Sequence, residues 1–111
     1  KMAESTAVAA VKFLEEKLRE KKIRITKIIL FGSHARGNAS PESDLDIVLI
    51  SKDFREKDMF KRLALIKDAE IATIRKYMIP LDVIMMTPEE FEGGTSLVAE
   101  YAKKGKVISA A

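Results

Sequence analysis

Three aspartates stand in apolar surroundings. Asp44 and Asp46 lie in "SDLDIVLIS", and Asp82 lies in "PLDVIMMT". A carboxylate placed inside an apolar strand needs a cation, a proton or hydrogen-bond donors to offset its lost hydration. Two positions apart on a strand, Asp44 and Asp46 point to the same face with Cα atoms about 6.6 Å apart. Converging carboxylates invite a hard divalent cation such as Mg²⁺, which takes oxygen ligands and commonly shares them with a substrate's phosphates. Upstream, "ILFGS" closes another apolar run with Gly32 and Ser33. A glycine at a strand end lets a ligand approach the backbone, and a serine opening a helical turn adds a hydroxyl and free amides suited to an anion. Arg36 serves either as a further cation for such a ligand or as a surface residue pairing with Glu42 or Asp44. His34 is the single histidine and is read as a surface or substrate-edge residue.

These side chains need elements to hold them. Ala7, Val11, Leu14 and Leu18 share one helical face, which predicts an amphipathic helix over 4–22. "RITKIILFG" reads as a strand ending at Gly32. "SDLDIVLIS" alternates and then becomes fully apolar, as a strand covered on both faces does, and "PLDVIMMT" reads the same way. Between them Met59, Leu63, Ile66, Ile74 and Tyr77 predict a helix over 56–78. A strand–helix–strand passage of this length suits a parallel or mixed sheet packed against helices. Thr87 as N-cap, Pro88 at the first helical position and Glu90 three residues past the cap form a capping box. "GGTS" then breaks the chain, and a last helix is expected from Ser96 to Lys104, ending at a left-handed Gly105. The expected fold class is α/β (α+β): a small mixed β-sheet packed against helices.

Composition bounds the reading. The chain has 111 residues, enough for a single domain over 1–111. With 47% hydrophobic and 33% charged residues it is globular, and its apolar runs are too short for a bilayer. No cysteine is present, which excludes disulfides and thiolate zinc sites, and with no signal peptide in view the expected setting is cytoplasmic. The formal net charge of +3 suits a phosphate-bearing ligand. The densest basic stretch, "KLREKKIR" (17–24), closes the first helix, where cations complement the carbonyl end of the dipole, so direct nucleic-acid contact is the weaker reading. "GSHARGNA" has Walker spacing but carries Asn38 and Ala39 where Lys and Ser/Thr must stand, which excludes a P-loop.

The pattern of Phe31, Gly32 and Ser33, ten intervening residues, then Asp44-Leu45-Asp46, with Asp82 on a later strand, resembles the DNA polymerase beta superfamily of nucleotidyltransferases. The short chain resembles the minimal nucleotidyltransferases of that group. The resemblance implies a polymerase beta palm-like fold and a two-Mg²⁺ site, with Asp44 and Asp46 holding both ions and Asp82 completing the second. It implies ATP as substrate, held also by Gly32 and Ser33, and Asp82 as base for an acceptor hydroxyl. It further implies a small helical HEPN-type protein as partner in a toxin–antitoxin pair, with AMP passed to its tyrosine. A homodimer is also compatible with so small a core. The competing reading is a non-catalytic module that binds nucleotide or partner.

Overall fold

Alternating side-chain direction along the strands fixes what each face of the sheet meets. The computed structural model describes residues 2–36, 43–93, 100 and 102–110. In chain order the elements are α1 (Met2–Glu20), β1 (Lys27–Phe31), α2 (Ser33–Arg36), β2 (Leu45–Ile50), a 3₁₀ turn (Lys52–Phe54), α3 (Met59–Tyr77), β3 (Leu81–Met86), α4 (Pro88–Gly93) and β4 (Lys106–Ala110). The sheet order is β3-β2-β1-β4. β1 runs antiparallel to both β2 and β4, whereas β2 and β3 are parallel and joined through α3. The expected mixed sheet against helices is therefore the observed architecture.

On one face Ile28, Leu30, Leu45, Ile47, Leu49 and Met85 pack with α1, α3 and the 3₁₀ turn. α1 supplies Ala7, Ala10, Val11, Leu14 and Leu18, all fully buried, a spacing that keeps them on one helical stripe. On the opposite face Ile29, Val48, Ile50 and Met86 meet Phe91 of α4 and Ala102. β2 is covered on both sides beyond Ile47, and this double burial is what its apolar run Ile47–Ile50 encodes.

α3 buries a different stripe from the expected one. Arg62, Ile66, Ala69 and Thr73 face inward, while Met59 and Leu63 are exposed and Phe60 is 85% exposed. An arginine takes the inward position because its donors are satisfied there. Its Nε donates to the Lys57 carbonyl at 2.9 Å, Nη1 to the Met85 carbonyl at 3.1 Å, and Nη1 and Nη2 to the two Glu90 oxygens at 2.8 and 2.9 Å. Hydropathy alone assigns such a residue to solvent; a bidentate carboxylate and two carbonyls reverse that.

The capping box forms as expected. Thr87 N donates to Glu90 Oε1 at 2.8 Å, and Glu90 N donates to Thr87 Oγ1 at 3.0 Å. The same Glu90 thus caps α4 and holds Arg62, tying α3, β3 and α4 together.

β4 was not expected from the sequence. It is a short edge strand with an irregularity between Ile28 and Ile29 of its partner, and its exposed and half-buried residues show no clean alternation. Gly105 also serves another purpose than the expected left-handed cap. It lacks a positive φ, and a Cβ there would stand 2.6 Å from the Leu30 carbonyl oxygen; the glycine lets β4 close onto β1. Of the expected helix from Ser96 to Lys104, residues 96–99 and 101 lie outside the described residues.

Candidate active site

Sheet register brings the carboxylates together. Asp46 pairs with Asp82 across the parallel β2–β3 ladder, and with Phe31 across the antiparallel β1–β2 ladder. In-register neighbours on adjacent strands lie about 4.8 Å apart and share a face. That face is the one carrying Val48, Ile50, Ile84 and Met86, since the intervening Leu45, Ile47, Leu81 and Val83 pack on the other side. One face of the sheet therefore changes character along the strands. Its far half is apolar beneath α4; its near half presents Asp82 and Asp46, while Asp44 stands just before β2 and outside the ladder.

The row sits at the rim and is not sealed in the interior. Asp44 and Asp82 are exposed and Asp46 is half-buried, which corrects the view of them as carboxylates inside a core. Both strands begin here: Leu45 N donates to the Pro80 carbonyl at 2.9 Å, so the first residues of β2 and β3 are already paired. Asp46 and Asp82 thus project from backbone that is paired on both strands.

Gly32 lies against this row. Its φ is +77°, in the left-handed region, and a Cβ added to it would come within 2.3 Å of Asp46 Oδ2. Only glycine both turns the chain here without strain and leaves that carboxylate its place. Ser33 opens α2, so its backbone follows the turn beside Asp46. The side chains of Ser33 and Arg36 lie outside the described residues.

His34 is placed differently from the expectation. It is 3% exposed, buried under the turn and not at a substrate edge. Its Nε2 bonds the Ser43 carbonyl at 3.1 Å. Sequence periodicity gave no signal for this, because a single polar residue in a four-residue helix has no pattern to betray its burial.

The frame behind the site is held by ion pairs with perturbed carboxylates. The hydrogen bonds from Arg62 hold the Glu90 carboxyl below its ordinary range. Asp53 is lowered by its hydrogen bonds to the Arg24 side chain and backbone, with Arg24 N at 2.7 Å and Nη2 at 2.7 Å. These pairs clamp the ends of β2 and β3 farthest from the aspartates.

The donor set fits a hard cation. Carboxylate oxygens beside a glycine turn match Mg²⁺ in type, and the sequence has no cysteine to offer a thiolate. Among the described residues no group of three or more His, Asp or Glu could by itself hold a metal ion.

The nucleotidyltransferase domain model matches residues 11–108. The chain belongs to the nucleotidyltransferase domain family. Within it, the chain is 35% identical over 66 residues to a protein of Methanocaldococcus jannaschii assigned as a protein adenylyltransferase, a segment that is 60% of this chain and 44% of that protein. A second M. jannaschii protein with the same assignment is 63% identical over 27 residues, 24% of this chain and 27% of the other. The matches thus span less than half the length of these relatives. Among solved structures, the fold matches a protein from Sulfolobus solfataricus described as a nucleotidyltransferase, with TM-score 0.64 and 22% identity, covering 83% of this chain and 77% of that one. It also matches a chain of a toxin–antitoxin structure with AMP-PNP, with TM-score 0.61 and 20% identity, covering 88% and 72%. At these identities the structural matches establish the fold. The family match places Asp44, Asp46 and Asp82 inside the shared domain, since all three fall within the matched residues.

Proposed function

We propose that this protein is a Mg²⁺-dependent nucleotidyltransferase that moves AMP from ATP to an acceptor hydroxyl. The observation that carries this reading is the in-register Asp46–Asp82 pair with the Gly32 turn packed against Asp46. Asp44, Asp46 and Asp82 would hold the metal, which when bound neutralises triphosphate charge and acidifies a bound hydroxyl. Gly32 and Ser33 give the triphosphate a backbone to approach beside Asp46. Asp82, exposed at the rim, would take the acceptor's proton. The acceptor oxygen then bonds the α-phosphorus as the bond to the β-phosphate oxygen breaks, and pyrophosphate leaves.

The acceptor we infer is a tyrosine of a small helical protein of HEPN type, in an antitoxin role. The resemblance of the Gly-Ser and Asp-Leu-Asp motifs to minimal nucleotidyltransferases supports it. So do the assignment of the M. jannaschii relatives as protein adenylyltransferases and the toxin–antitoxin fold neighbour with AMP-PNP. Incubation with α-labelled ATP, Mg²⁺ and the protein that co-purifies with this chain tests it. Label on a tyrosine of that protein, absent with Asp46→Asn, is expected; label nowhere, with the partner bound equally by both forms, would favour the alternative of a binding module. The exposed Met59, Phe60 and Leu63 on α3 are the observation that keeps this second reading in view.

A further inference from the structure

A histidine buried to 3% exposure in a small domain calls for a reason, since a polar ring held away from water must be answered by hydrogen bonds. Among the described residues His34 makes one such bond, from Nε2 to the Ser43 carbonyl at 3.1 Å. The partner is a carbonyl, so Nε2 carries the proton, while Nδ1 has no hydrogen-bond partner among the described residues. A leucine would fill similar space without stranding that nitrogen. What the histidine supplies and a leucine does not is the bond to Ser43.

That bond joins the two segments from which the candidate site is built. His34 stands two residues after Gly32, on the turn that approaches Asp46, and Ser43 immediately precedes Asp44. We propose that His34 is a positioning residue: its Nε2–H holds the start of β2, and with it Asp44 and Asp46, in register against the Gly32–Ser33 turn. It acts through a main-chain carbonyl and touches no reacting atom. Its consequence for nucleotide chemistry rests on the proposed function; its mechanical role does not.

His34→Gln and His34→Leu separate the bond from the bulk, because a glutamine amide reaches about as far as Nε2 and still donates, whereas leucine does not. The reporter in the ligand-free protein is amide exchange of Leu45, which is fully buried and bonded to the Pro80 carbonyl at the start of β2. His34→Leu is expected to speed Leu45 exchange at least about tenfold and to weaken Mg²⁺–ATP binding about 10- to 100-fold, the range for loss of a residue supporting metal ligands. His34→Gln should stay within about threefold of the wild type in both. Unchanged Leu45 exchange in His34→Leu, or glutamine as impaired as leucine, overturns the proposal. If the leucine variant does not fold, the glutamine variant decides alone: wild-type exchange and affinity support the bond, and loss of either contradicts it. A wild type that binds no Mg²⁺–ATP defeats the proposed function, while Leu45 exchange still decides the role of His34.

Discussion

At the scale of the residue, Asp46 is where the site's constraints meet. It pairs with Asp82 on one side and Phe31 on the other, and its carboxylate occupies the space a Cβ on Gly32 would take. Gly32→Ala should therefore act twice. The left-handed φ costs about 1–2 kcal/mol for a residue with a Cβ, lowering the melting temperature by several degrees, and displacement of the carboxylate should weaken Mg²⁺–ATP binding at least about tenfold. A variant that loses stability but keeps its affinity would show that the Gly32–Asp46 contact is irrelevant to binding. The spacing of Asp44 and Asp46 was legible in the sequence because period-two alternation needs no tertiary knowledge. That Asp82 joins them was implied by the family resemblance alone, and its register with Asp46 was not legible, since a helix separates the two strands and only the sheet pairing brings them level. His34 was misjudged because a single polar residue in a four-residue helix has no period to betray its burial.

At the scale of the element, α3 and its neighbours carry the testable energetics. The C-cap of α3 is Met78 at φ 56°, ψ 35°, and its side chain is 79% exposed. Met78→Gly removes the left-handed penalty without removing a buried contact, so it should stabilise by about 1 kcal/mol and raise the melting temperature by several degrees. Glu90 gives a pH prediction. Its carboxyl is lowered by the Arg62 hydrogen bonds, so the folded state binds that proton more weakly than the unfolded chain. The resulting stability is present above the ordinary glutamate pKa near 4.3 and is lost as pH falls through the lower folded value. Thermal melts between pH 6 and pH 3 should fall less steeply for Glu90→Gln than for the wild type; parallel curves would remove Glu90 from the acid limb. The strands β1 to β3, the long helices and the capping box were legible because each has a period or a local signature. The inward stripe of α3 was not, since its arginine is stabilised by acceptors from three other segments, and β4 was not, since an edge strand of five residues shows no alternation.

At the scale of the whole molecule, the core and the acidic rim are separable. The fully buried side chains lie on α1, in the sheet and under α3, whereas Phe60 on the outer surface of α3 is 85% exposed. Phe60→Ser should change stability by no more than about 0.5 kcal/mol and leave nucleotide affinity at the wild-type value, while weakening any partner that covers this surface. A large fall in the melting temperature would mean that Phe60 belongs to the core after all. The central claim is that the aspartate row beside Gly32 is a metal–nucleotide site. Calorimetric titration of ATP into the wild type and Asp46→Asn, each with and without Mg²⁺, tests it most directly. Binding by the wild type that requires Mg²⁺ and disappears in Asp46→Asn is the predicted result; binding that is the same in both proteins, or indifferent to the metal, would contradict it.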